Sequence, residues 1–198
     1  MDCLDNNKTP LSRGVFFMNQ TGKNLFSCDT QHLYLLKQLF MMIEIGQEAP
    51  KFTLHDTDKE KVSLSDFAGK NVLLLFFPQA FTNVCTKELC SVRDDISRYS
   101  NVNAQVFGIS VDSVFTLKKY KEEQQYNFPL LSDFNKEASA AYGSLYTEWI
   151  LEMKGVSKRS AFIVDKQGKI AYAEVLESAG DMPNFEAINQ KLDDLNAL

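Results

Sequence analysis

The sequence is poor in the residues that mark several common classes of protein. Among 198 residues it has 9 glycines, 5 prolines, 4 cysteines and 2 histidines, and 26 acidic residues outnumber 21 basic ones. So little glycine and proline excludes collagen-like and low-complexity chains. A formal net charge of −5 leaves nucleic acid no basic surface to bind, and no apolar run reaches the ~20 residues that a membrane-spanning helix needs. The sequence therefore predicts a globular protein with neither nucleic-acid nor membrane partners.

The cysteines are few and unevenly spaced, at Cys3, Cys28, Cys85 and Cys90. A small secreted domain would spread its cysteines as a disulfide framework, so this spacing favours a reducing, cytoplasmic compartment in which any disulfide is transient. A structural zinc ion needs four ligands, usually in two short pairs. Only one cysteine pair is present, and His32 and His55 have no partner at ligand spacing. We therefore predict no metal and no cofactor.

Residues 1–41 differ from the rest of the chain in composition. They are rich in Asn, Gln, Lys and Thr and show no lasting hydrophobic period, so their burial would not compensate for the entropy of ordering them. We expect residues 1–41 to be an N-terminal extension that is disordered, with at most a loosely docked helix around residues 33–42, or an artefact of a misplaced start codon. The folded domain is expected over residues 42–198. Mass spectrometry of the native N-terminal peptide checks this boundary. Cys3 and Cys28 are then stray thiols.

From residue 42 onward, strand and helix patterns alternate. Short apolar or alternating runs predict strands at 52–55, 61–64, 72–77, 104–110, 128–131, 161–164 and 170–175. Apolar residues at helical spacing predict a helix with Cys85 in its first turn that extends to Tyr99, and further helices at 114–125, 135–142 and 184–195. Ser113 is a suitable N-cap. This order predicts an α/β fold with a mixed central sheet flanked by helices.

The segment between Pro78 and Cys90 is the predicted site, because the carboxyl end of a central strand and the amino end of the next helix share a crevice. Cys85 falls in the first turn of that helix, where unpaired N–H groups and the positive end of the helix dipole favour a thiolate. Glu88, one turn later, is placed to orient a cation or a hydroxyl.

Cys85 and Cys90 cannot form a disulfide while both are helical. On an intact helix their Cα atoms lie about 8–9 Å apart, beyond the ~7 Å limit for a disulfide. If the two cysteines react with each other, the helix must first unwind. A thioredoxin-type Cys-x-x-Cys motif is absent from the sequence.

The pattern Pro78-x-x-x-Thr82-x-x-Cys85 resembles the signature of peroxiredoxins, the thiol peroxidases of the thioredoxin-like fold. Thr86-x-Glu88-x-x-Cys90 resembles members with a resolving cysteine in the same helix, and the segment 159–165 is similar to the family strand that carries an active-site arginine. The likeness covers residues 42–198. The residues around Phe81 most resemble those of the alkyl hydroperoxide reductase E group, whereas Cys90 is typical of the bacterioferritin comigratory protein group.

The resemblance implies a role for each residue of the motif. Cys85 is the expected peroxidatic nucleophile that becomes a sulfenic acid, and Cys90 the resolving thiol. Arg159 is expected to stabilise the thiolate and the peroxide. The implied pocket is completed by the Thr82 hydroxyl, the backbone N–H groups near Val84 and Cys85, Glu88, and Pro78 as a cover. The implied partners are a hydroperoxide substrate and a thioredoxin-like or glutaredoxin-like reductant, with the protein a monomer or a homodimer.

Several residues have simpler interpretations. Cys90 is equally consistent with a small buried apolar residue, Arg159 with a surface cation like Lys158, and Glu88 with a solvated residue near a helix start. Trp149 and the segment 145–151 favour packing or an interface. The alternative function is a redox-switched interaction module or holdase that uses the same cysteine pair.

Overall fold

Seven strands and five α-helices make up residues 43–197, the part of the chain that the computed structural model describes. The strands are β1 (Thr53–Asp56), β2 (Lys61–Ser63), β3 (Asn71–Phe76), β4 (Ala104–Ser110), β5 (Leu130–Ser132), β6 (Ser160–Val164) and β7 (Ile170–Val175). The α-helices are α1 (Asn83–Asp94), α2 (Ile96–Asn101), α3 (Val114–Gln124), α4 (Glu137–Ala141) and α5 (Phe185–Asn196). Short 3₁₀ helices span Leu64–Phe67 and Ile150–Glu152. The predicted extension, residues 1–41, lies outside the described residues, so the boundary at residue 42 stays a prediction.

The strands form one mixed sheet in the order β2-β1-β5-β4-β3-β6-β7. β3, β4 and β5 are parallel to one another, while both edges of the sheet are antiparallel. Every residue of the central strand β3 is buried, because its two faces contribute to two cores. Leu73 packs with Leu89 of α1 on one side, and Leu74 packs with Ala138 of α4 on the other. The predicted mixed sheet with helices on both faces is confirmed.

The helix predicted to continue to Tyr99 is two helices. It breaks at Asp95, whose φ of −110° and ψ of 23° are not helical. The apolar stripe continues across the break, since Val92 and Tyr99 are both buried in the same core. The hydrophobic period therefore gave no sign of the interruption, and predicting one helix was wrong.

The ends of the other elements differ from the prediction by up to two residues. β5 starts at Leu130, and α4 starts at Glu137 because Lys136 has a left-handed backbone with φ of 66°. The predicted cap at Ser113 is confirmed, since the Thr116 N–H donates to its Oγ over 3.1 Å. β6 and β7 pair as an antiparallel hairpin.

Three chain segments meet at the end of the sheet where β3 and β4 finish and β6 begins. Phe76, the last residue of β3, pairs with Ile109 of the parallel strand β4 and with Ser160, the first residue of the antiparallel strand β6. The segments that follow β3 and β4 therefore lie beside the segment that precedes β6. Within residues 43–197, no helix is both long enough and apolar enough to cross a membrane.

Candidate active site

Cys85 lies at the amino end of α1, as the third residue of the helix. Thr82, the N-cap, has an extended backbone, and the first backbone bond of the helix runs from the Thr86 N–H to the Thr82 carbonyl over 2.9 Å. The N–H groups of Asn83, Val84 and Cys85 thus precede the first donor of the helical ladder and have no acceptor within it. Cys85 is only 1% exposed. Its thiol therefore lies buried at the positive end of a helix.

Arg159 is the charged group nearest to this thiol. It immediately precedes β6, and the pairing of Ser160 with Phe76 brings it to the start of the loop that leads into α1. Its guanidinium Nη2 donates to the Cys85 Sγ over 3.3 Å. Arg159 is 1% exposed, so the interpretation of this residue as a surface cation is wrong.

Glu88 forms a buried ion pair with the same guanidinium. It lies three residues after Cys85 and so on the same side of α1, it is 0% exposed, and its Oε2 accepts from Nη1 of Arg159. Burial raises the pKa of Glu88 to about 7, against the opposing effect of the Arg159 charge. Among residues 43–197, the other oxygen, Oε1, has no hydrogen-bond partner. The interpretation of Glu88 as a solvated residue is wrong.

The loop between β3 and α1 is fixed by a residue that the sequence did not single out. Asp112, two residues after the end of β4, accepts the Ala80 N–H over 2.8 Å and the Ser110 hydroxyl over 2.6 Å. In this loop Pro78 is buried, and Phe81 has a φ of 63°, which is uncommon for a residue with a side chain. A Ser-x-Asp pattern directly after a buried strand was the available signal.

Thr82 and Val84 precede Cys85 at the end of the loop and the start of α1, and both are half-buried. The Thr82 hydroxyl donates to the Gln79 carbonyl over 2.9 Å instead of capping the helix. Its two lone pairs stay available as acceptors. The residues that the sequence selected therefore lie at the end of the sheet where β3 finishes and β6 begins. They are Pro78, Thr82, Val84, Cys85, Glu88 and Arg159.

Cys90 lies apart from this group, although it is on the same helix. It is half-buried against the core, and its Sγ is 3.9 Å from Oε1 of Gln124, at the end of α3. Arg93, one turn later, donates to the Gln124 carbonyl over 2.6 Å. Both described cysteines are free thiols, as expected for two residues on an intact helix. Cys3 and Cys28 lie outside the described residues.

The remaining candidates contribute little to the site. Trp149 stacks on Tyr146, with ring centroids 6.2 Å apart. Within residues 43–197, no three His, Cys, Asp or Glu side chains cluster as metal ligands would.

One contact of the site has no signal in the sequence. The Ala179 carbonyl accepts hydrogen bonds from Nε and Nη2 of Arg159. A backbone carbonyl has no residue signature by which it could have been found.

Comparisons with known proteins find relatives in one family. The model of the AhpC/TSA family matches residues 45–173. The chain is 39% identical to alkyl hydroperoxide reductase E of Mycobacterium tuberculosis over 68% of this chain and 86% of that protein. It is 35% identical to peroxiredoxin Bcp of Escherichia coli over 66% of this chain and 84% of that protein.

A solved structure shows the same fold. The crystal structure of peroxidoxin BcpB from Mycobacterium tuberculosis superposes with a TM-score of 0.66 at 29% identity, covering 79% of this chain and 98% of that one. The predicted thioredoxin-like fold is thereby confirmed. The predicted position between the alkyl hydroperoxide reductase E group and the bacterioferritin comigratory protein group is confirmed by the two relatives.

Proposed function

The chain belongs to the AhpC/TSA family and is a peroxiredoxin, a peroxidase of the oxidoreductase class, and from this we propose that it reduces hydrogen peroxide and alkyl hydroperoxides at Cys85. The observation that supports the proposal most directly is the buried guanidinium of Arg159, which contacts the Cys85 sulfur and the Glu88 carboxylate at once. A fixed positive charge in a water-poor site favours the thiolate, the nucleophilic form of cysteine.

The first step is attack of the Cys85 thiolate on one peroxide oxygen. A sulfur–oxygen bond forms and the oxygen–oxygen bond breaks, so that the sulfur is oxidised to a sulfenic acid and the peroxide is reduced. The departing oxygen takes up a proton and leaves as water or an alcohol. Arg159 and the free N–H groups at Val84 and Cys85 are placed to stabilise the charge that develops on this oxygen.

Two residues complete the pocket in this proposal. The Thr82 hydroxyl already donates to the Gln79 carbonyl, so its free lone pairs would accept a hydrogen bond from the terminal O–H of the peroxide. Pro78 is buried in the loop that covers the thiol and would limit the access of water. Glu88 acts through Arg159, because its carboxylate is bonded to the guanidinium and not to the thiol.

We propose that Cys90 resolves the sulfenic acid. Its sulfur attacks the Cys85 sulfur, a disulfide forms, and the sulfenic oxygen leaves as water. The two cysteines are five residues apart on α1, so this step requires the helix to unwind locally. A thioredoxin-like or glutaredoxin-like dithiol would then reduce the disulfide and itself become oxidised. The scarcity of cysteines supports a cytoplasmic setting, in which the protein acts as a monomer or a homodimer.

Intact mass after one equivalent of hydrogen peroxide tests this proposal. The wild type should lose two hydrogen atoms, and peptide mapping should assign the disulfide to Cys85 and Cys90. The Cys90→Ser variant should instead gain one oxygen atom at Cys85. A Cys3→Ser/Cys28→Ser variant is the matched control and should behave as the wild type.

Two results would contradict it. An unchanged loss of two hydrogen atoms in Cys90→Ser would show that another thiol resolves the sulfenic acid. Oxidation that stops after one equivalent, even when candidate dithiol reductants are supplied, would favour the redox-switched interaction module or holdase over the enzyme.

A further inference from the structure

The loop that follows β7 bonds to the same guanidinium of Arg159 that contacts the thiol. Nε and Nη2 of Arg159 both donate to the Ala179 carbonyl, over 3.3 Å and 2.9 Å. The Leu176 N–H donates to the Arg159 carbonyl over 2.9 Å. The 176–181 loop is therefore bonded to both the backbone and the side chain of Arg159.

The 176–181 loop is itself anchored at Glu177, by two side chains. The Tyr146 hydroxyl donates to the Glu177 carbonyl over 3.1 Å, and Nζ of Lys158 lies 2.8 Å from the Glu177 carboxylate. The same ammonium lies 5.7 Å from the centroid of the Tyr146 ring. The side chain of Glu177 is 85% exposed, and such surface ion pairs contribute little. The main anchor is thus the Tyr146 hydroxyl bond.

The Ala179 contact determines which N–H groups of the guanidinium face its two partners, the Glu88 carboxylate and the Cys85 sulfur. The fork of an arginine is planar and rigid, so fixing Nε fixes the directions of Nη1 and Nη2. With Nε on Ala179, Nη1 points at Glu88 and Nη2 at Cys85. Without that contact, the guanidinium could turn towards the buried carboxylate and away from the sulfur.

We propose that Tyr146 is a positioning residue for the thiol, which acts by anchoring the 176–181 loop so that the Ala179 carbonyl orients Arg159 towards Cys85. Lys158 assists it at the same loop. The inference rests on the proposed function of Cys85 and Arg159, and it assigns a part in that function to a tyrosine that does not contact the thiol.

The Tyr146→Phe variant tests this inference in the full chain, because it deletes one hydroxyl and keeps the ring that stacks on Trp149. The measurement is the rate of alkylation of Cys85 by iodoacetamide against pH, followed on the Cys85 peptide by mass spectrometry. The midpoint of the profile should move to higher pH. At pH values below it, the rate should fall roughly three- to tenfold, which corresponds to the loss of one ordinary hydrogen bond.

Two comparisons separate positioning from general loosening of the fold. Tyr172→Phe removes a hydrogen bond to Glu174 away from Arg159 and should leave the alkylation profile unchanged. In an Arg159→Lys background the rigid fork is absent, so that Tyr146→Phe should shift the profile no further. An equal shift in both backgrounds would overturn the inference.

An unchanged alkylation profile in Tyr146→Phe would also overturn the inference, while peroxide reduction by the wild type would still support the proposed function. Because Tyr146→Phe removes only one hydroxyl from a half-buried ring, the variant is expected to fold, and urea unfolding checks this before its profile is read.

Discussion

Cys85 and Cys90 lie five residues apart on α1, but the groups around them differ in charge and in burial. Cys85 is 1% exposed and contacts the guanidinium of Arg159. Cys90 is half-buried and lies near the neutral amide of Gln124. Five residues turn a helix by roughly 140° beyond a full turn, so the two thiols face different neighbours. One helix thereby separates a buried thiol that a guanidinium contacts from a half-buried thiol beside Gln124, where the nearby guanidinium of Arg93 donates to the Gln124 carbonyl instead.

Exchange of each cysteine for serine tests this difference most strongly. Cys85→Ser should leave less than one per cent of the peroxide reduction of the wild type, a loss of more than about 2.7 kcal/mol in barrier lowering, because no thiolate remains beside Arg159. Cys90→Ser is the matched control. In rapid-mixing measurements it should keep the rate of the first turnover, since Cys90 does not contact the guanidinium.

Residual activity above one per cent in Cys85→Ser would remove Cys85 from the role of nucleophile. An equal loss of the first turnover in both variants would mean that the two surroundings do not differ in function.

Removal of the Arg159 guanidinium should make the surroundings of Cys85 and Cys90 more alike. Arg159→Ala should slow peroxide reduction roughly tenfold to hundredfold, as expected for the loss of one hydrogen bond to a charged group. It should also lower the free energy of unfolding by roughly 3–5 kcal/mol, because Glu88 is left buried without its partner. Stopped-flow peroxide consumption and urea unfolding measure the two effects.

The double variant Glu88→Gln/Arg159→Ala distinguishes the effect on activity from the effect on stability. It should recover part of the stability, because no unpaired charge remains buried, but none of the activity. Recovery of activity in the double variant would argue that Arg159 serves only to neutralise Glu88.

A smaller effect is expected from the pH dependence of stability. Burial raises the pKa of Glu88 from its ordinary value of 4.5 to about 7. Between these pH values the folded protein binds a proton that the unfolded chain has released. The contribution of this group to stability is therefore fully present below 4.5 and is lost as the pH rises through about 7.

Between pH 5 and pH 8, the wild type should lose on the order of 2 kcal/mol relative to Glu88→Gln. Urea unfolding at the two pH values measures the difference, and Glu122→Gln, at an exposed position of α3, should follow the wild type. Parallel stability profiles for the wild type and Glu88→Gln would show that Glu88 does not bind a proton in this range.

Much of the fold follows from local patterns in the sequence. The run from Val72 to Phe77 predicted a central strand, which the structure confirms with a shift of one residue, and Ser113 caps α3 as expected. The break at Asp95 was missed because the apolar stripe passes through it without interruption. Hydrophobic period reports which side chains are buried, and burial does not require the backbone to stay helical.

The residues of the site also divide into those that local patterns in the sequence predicted and those that they missed. Pro78, Thr82 and Cys85 belong to one continuous segment. A strand end followed by a helix start was enough to select that segment and Cys85, whereas the resemblance to peroxiredoxins selected Pro78 and Thr82. The partnership of Arg159 with Glu88 was not visible, since these residues are 71 positions apart and each has a plausible role on the surface. Asp112 and Tyr146 bond to the backbone amide of Ala80 and the backbone carbonyl of Glu177. The Ser-x-Asp pattern at the end of β4 could have drawn attention to Asp112, but no residue pattern identifies its backbone partner or that of Tyr146.

The sequence by itself determined where the candidate nucleophile lies and that Cys90 cannot reach it on an intact helix, because the rise and turn of an α-helix depend only on spacing along the chain. Only the tertiary structure decided which charge meets the thiol and how it is held. The antiparallel pairing of β6 with β3 brings Arg159 to the start of the loop before α1, and the 176–181 loop orients its guanidinium. These contacts join residues far apart in the chain, so they depend on strand register and loop packing rather than on local spacing.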